Sequence, residues 1–139
     1  MADILFARGD LDDALRIRRE EELPVYERLG DLVGLCNVRF NLAQLRLAQG
    51  VTDQESAQDV MENLAEAYRL AEHLGHAEAI AAIGALFGQV LSQAGAQTEA
   101  VTVLARAASA HRKLGREAQA AEIDALIAAL PQPPAEPTA

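Results

Sequence analysis

Tryptophan is missing from this chain of 139 residues, and the aromatic side chains stop at three Phe and two Tyr. A core organised around large rings is therefore excluded, and the hydrophobic half of the composition has to come mostly from Ala and Leu. β-Branched residues are few, which argues against sheets. Cysteine occurs once, at Cys36, so there is neither an intrachain disulfide nor a cysteine-built zinc cage. Lysine is almost absent too, since eleven of the twelve basic residues are Arg, and the formal charge is −9. A nucleic-acid partner needs a basic stripe, and anionic lipid attracts polybasic segments, so both are disfavoured. No run approaches the roughly 18 apolar residues of a membrane-spanning helix. The opening MADILFARGD lacks the basic segment and long apolar run of a signal peptide. A soluble cytoplasmic protein is expected.

What is present is a supply of Ala, Leu, Glu, Gln and Arg, the residues that lose least entropy on entering a helix. Two glycine series punctuate it. Leu29-Gly30, Leu74-Gly75 and Leu114-Gly115 are spaced by 45 and 40 residues, while Gly9, Gly50 and Gly95 are spaced by 41 and 45. Glycine just past a helix end adopts the left-handed conformation without Cβ strain, so each is read as a helix stop. Between the stops, apolar residues recur at three and four, as in Val60, Leu64, Ala67, Ala71 and Leu74. The pattern predicts an all-α chain of about seven helices, near 2–8, 11–29, 32–49, 53–74, 76–94, 97–114 and 117–130. Asp10 and Asp31 are expected N-caps, and Thr52-Asp53-Gln54-Glu55 has the capping-box pattern. Pro24 must kink or split the second helix. The proline-rich end at 131–139 is expected to be disordered.

A helix, a glycine turn and a second helix, repeated every 40 to 45 residues, resembles the tetratricopeptide repeat, especially its longer bacterial and kinesin-light-chain-like variants. Ala43 and Gly88 stand where that family packs a small residue midway along the first helix, each preceded by a large apolar residue, Leu42 or Phe87. Ala14 and Ala100 stand where it keeps an Ala early in the second helix. Asn41-Leu42-Ala43 followed by Ala48-Gln49-Gly50 resembles the kinesin-light-chain form. Glu55 departs from the pattern, because the middle repeat carries an insertion after Gly50, and the first repeat lacks most of its inner helix. The resemblance implies a right-handed α-solenoid of antiparallel helix pairs over 1–130, with about two and a half repeats and a closing helix.

It also implies a function. Inner helices of such proteins line a concave groove that receives a segment of a partner protein. Carried over by position, the groove residues are Asn37, Phe40, Asn41, Gln44 and Ala48 in the middle repeat. Those of the third are Ala82, Ala85, Leu86, Gln89 and Gln93. Carboxamides suit such a groove because each offers both a donor and an acceptor to a peptide backbone. The Lys and Arg clamp by which chaperone-binding members hold a terminal carboxylate is missing, with Ala48 and Gln93 where cations would help. A rival is a self-assembling repeat protein, a homodimer formed through the incomplete first repeat at residues 1–29. A third reading is a regulatory fragment of a larger signalling or transcription protein.

Other side chains carry less. Glu55, Asp59, Glu62 and Glu66 share one helical face, either as a solvated surface or as a dock for a basic partner. Arg106, Arg112, Lys113 and Arg116 form a basic end. His73 and His76 flank a glycine turn that breaks metal-binding geometry, and Cys36 sits among apolar neighbours as a small packing residue. No phosphate loop or nucleophile set is found, so no catalysis, cofactor or metal is expected.

Overall fold

The computed structural model describes residues 8–131, which are helical apart from short turns. The elements are α1 (Arg8–Ile17), a π-helical turn (Arg18–Glu22), α2 (Leu23–Leu29), α3 (Leu32–Gln49), α4 (Gln54–Leu74), α5 (Ala77–Gln93), α6 (Gln97–Lys113) and α7 (Glu117–Ala129). Right-handed helical dihedrals at Ile17, Glu22 and Leu23 make α1, the π turn and α2 one continuous rod. Six separate helices therefore stand among the described residues, against seven expected. Most of the expected helix 2–8, and all of the proline-rich end beyond Pro131, lie outside the described residues.

Gly9 is not a stop. It lies inside α1, and Asp10 is a first-turn residue instead of an N-cap. A helical Gly costs only about 0.5–1 kcal/mol relative to Ala, so it marks a boundary only where the chain actually turns. The other five turn glycines, Gly30, Gly50, Gly75, Gly95 and Gly115, all have positive φ, between 63° and 99°. After Gly30 the Asp31 amide reaches back to the Tyr26 carbonyl at 3.0 Å, the six-to-one bond that closes a helix end. Asp31 then caps α3, accepting from the Gly34 amide at 2.9 Å.

Pro24 acts through the π turn. The Leu23 amide bonds the Arg18 carbonyl five residues back, and this wide turn leaves Pro24 in the first turn of α2. There the wide turn has already replaced the i to i−4 pattern, so the residue that cannot donate an N–H falls where that pattern is interrupted. The capping box at α4 is shifted by one residue from its expected place. Asp53 Oδ1 accepts from the Ser56 amide at 2.8 Å, and Ser56 Oγ in turn accepts from the Asp53 amide at 3.3 Å. Thr52 and Glu55 are not the pair.

The chain divides into two compact units, residues 1–74 and 75–139. In the first, α3 and α4 run antiparallel, because their paired residues climb one helix as they descend the other. Cys36 donates to the Ala67 carbonyl (3.4 Å), Arg39 to Asn63 (3.1 Å) and Arg46 to Asp59 (3.1 Å). Val38, Leu42, Ala43, Val60, Leu64 and Ala67 are buried there. The rod lies antiparallel on α3, with the Tyr26 ring over Gly34 and Asp12 beside Gln49. A Cβ at position 34 would overlap that ring.

In the second unit α5 and α6 form the corresponding hairpin, with Leu104 seated on Gly88. Leu104, Ala107 and Ala108 of α6 pack with Ala120 and Ile123 of α7, and Ala85, Ile127 and Leu130 border them. Alanines at the contact allow the helix axes to approach closely, so a core with few rings still fills its space.

Candidate functional site

The residues expected in a groove form a row on each of two helices. On α3, Asn37, Asn41, Gln44 and Ala48 follow one another at four, three and four, with Phe40 alongside. Asn37, Gln44 and Ala48 are exposed, while Phe40 and Asn41 are half-buried. On α5, Ala82, Leu86, Gln89 and Gln93 repeat the same spacing. Ala82, Gln89 and Gln93 are exposed and Leu86 is half-buried. Ala85 differs from the rest of its set, since it packs against the Leu104–Ile123 cluster. Among the described residues none of Asn37, Asn41, Gln44, Gln89 and Gln93 has a side-chain hydrogen bond, so their donors and acceptors are unused within the fold.

Asn63 provides the contrast. It is buried, accepts from Arg39 and donates to the Asp59 carbonyl at 3.0 Å, so its amide is spent inside the fold. The expected acidic face is likewise partly consumed. Asp59 accepts from Arg46 at 3.1 Å and from Arg19 at 3.2 Å. Glu66 is paired with Arg69, whose hydrogen bond holds its carboxyl below the usual glutamate range against a desolvation effect. Glu55 and Glu62 remain exposed. The basic end is paired within its own unit, Arg112 with Glu117 and Asp124 at 3.0 and 2.5 Å, Arg116 with Glu78 at 2.7 Å.

A polar cleft of about 390 Å³ opens where the end of α3 meets the start of α4, lined by Asp12, Arg46, Gln49, Asp53, Glu55 and Ser56 among others. Two smaller clefts adjoin it and also border Arg46. Within it, the Ser56 amide and hydroxyl, with the Arg46 charge, keep the Asp53 carboxyl below the ordinary aspartate range. In the sequence the long loop after Gly50 reads only as an insertion. The available signal was an Arg one turn before that loop, facing carboxylates on both sides of it. Its guanidinium is already held by Asp59 and Gln49.

His76 plays a structural part, because its Nδ1 accepts from the Ala79 amide at 3.3 Å and caps α5. Cys36 is buried, and burial pushes its thiol up, so it stays protonated at neutral pH. Among the described residues no cluster of three or more His, Cys, Asp or Glu is arranged to hold a metal. No described helix is long and apolar enough to cross a membrane. No protein-family model matches this chain, and no curated protein or solved structure matches it either.

Proposed function

We propose that this chain is a non-catalytic binding module of the tetratricopeptide type, whose helix pairs stack as a right-handed solenoid and hold a segment of a partner protein. The observation that carries this reading is a pair of rows with the same four-three-four spacing on the first helix of each hairpin, which carry the unused carboxamides of Asn37, Asn41 and Gln44 on α3 and of Gln89 and Gln93 on α5. Exposed Asn and Gln with small neighbours such as Ala48 and Ala82 let a peptide backbone approach and exchange hydrogen bonds in both directions. The test compares the wild type with an Asn41→Ala, Gln44→Ala, Gln89→Ala variant as baits in extracts of the native host. Specific partners retained by the first and lost by the second support the groove. Equal recovery by both removes it.

A second reading, self-association through the first repeat, is favoured by one observation. Leu29 is 72% exposed and Val33 54%, and Ile17 and Val25 of the same unit are also exposed. The π turn stretches the eight positions from Ile17 to Val25 to about two full turns, which brings them near one face with Leu29. Light scattering after gel filtration decides it, because a strict monomer at high concentration rules it out.

A further inference from the structure

We infer that the rod of residues 8–29 is a detachable strap, which separates from α3 and α4 about Gly30 when the polar contacts that latch it are screened or replaced. Its apolar hold is small. Leu11 and Leu15 are its only buried residues among those described, and α2 buries none, whereas α4 buries eight. A cleft of about 200 Å³ lies between its Leu15, Arg16 and Arg19 and the Arg46 and Gln49 of α3, so contact there is incomplete.

Beyond Leu11 and Leu15, the Tyr26 ring rests on Gly34, and the remaining contacts are polar: Arg19 to Asp59 at 3.2 Å, Glu27 to Arg39 at 4.0 Å, and Asp12 to Gln49. Each of these polar contacts has a spare partner on the side that stays behind. Asp59 keeps Arg46, Arg39 keeps Asn63, and Gln49 keeps Arg46. Leaving therefore strands no unpaired charge on α3 or α4, which is the usual obstacle to breaking a partly buried ion pair. On the rod, Arg19 and Glu27 are exposed and regain water at once. At the other end Gly30 has positive φ and nothing within 4 Å of where a Cβ would stand, so backbone bonds such as that from the Asp31 amide to the Tyr26 carbonyl hold the turn, not side-chain packing on Gly30. Regions with few buried apolar contacts and many exposed polar ones open first.

Amide hydrogen exchange on the intact chain tests this. Strap amides at residues 15–17 and 26–28 are expected to exchange at least about tenfold faster than those of α4 at residues 64–71. Raising NaCl from about 0.05 M to about 0.5 M should speed the strap amides a further ~3-fold or more, relative to α4. Arg19→Gln, at a half-exposed side chain, should start fast and lose most of the salt response. A common rate for strap and α4, or strap exchange indifferent to salt in the wild type, overturns the proposal. An Arg19→Gln variant that speeds both helices equally overturns it as well.

Discussion

Leu104 fills the place where a side chain at Gly88 would be. A Cβ built on Gly88 would overlap the Leu104 Cγ and Cδ2 atoms, and Leu104 is fully buried. Gly88→Ala therefore forces the α5–α6 contact apart. Overpacking of this kind costs about 1–3 kcal/mol, set against about 0.5–1 kcal/mol gained in helix propensity. A net loss of stability in urea unfolding is expected. In a Leu104→Ala background, itself about 2–5 kcal/mol less stable, the Gly88→Ala penalty should vanish. A penalty unchanged by Leu104→Ala would show that the two residues do not compete for space.

Asn63 is the polar residue that ties α3 to α4 from inside. Replacing it by Ala leaves the Arg39 guanidinium without its buried acceptor and the Asp59 carbonyl without its side-chain donor. A loss of about 1–3 kcal/mol is expected from the midpoint of chemical denaturation. Gln44→Ala, on the exposed face of the same α3, should leave stability within about 0.5 kcal/mol.

Asp53 makes the start of α4 acid-sensitive. Its carboxyl is held low chiefly by the Ser56 amide, so the folded state favours the ionised form. A depressed group contributes fully above its unfolded value of about 3.9 and loses that contribution as pH falls through its lower folded value. The thermal midpoint of the wild type should thus exceed that of Asp53→Ala at pH 6, with the gap closing below about pH 4. A gap that stays constant down to pH 2 would contradict the cap.

Cys36 should behave as a buried packer. With its thiol pushed up by burial and donating to Ala67, modification by a thiol-specific disulfide reagent should proceed in the native state only as fast as the first unit opens. Denaturant should release the full reactivity. Rapid labelling of the folded protein would place Cys36 at the surface.

The limits of what the helices reveal in advance are visible at Gly9 and Pro24. Both are helix breakers by local preference, yet Gly9 sits inside α1 and Pro24 is absorbed by a π turn. Local preference at a single residue is worth about 1 kcal/mol for Gly, and continuing a helix recovers that. The five glycines at real turns were legible because the turn needs positive φ, a demand few other residues meet.

The chain by itself decided that this protein is helical, where most of its helices begin and end, and which stripes are apolar. Those properties follow from propensity, caps and the 3.6-residue period, all of which act within a few residues. Pairing was decided by tertiary structure: which carboxylate Arg46 meets, that Asn63 is spent inside while Gln44 is not, and that Ala85 turns inward among its exposed neighbours. Such contacts join residues up to tens of positions apart, as Arg19 and Asp59 are, and no local pattern encodes which of several like charges will face each other.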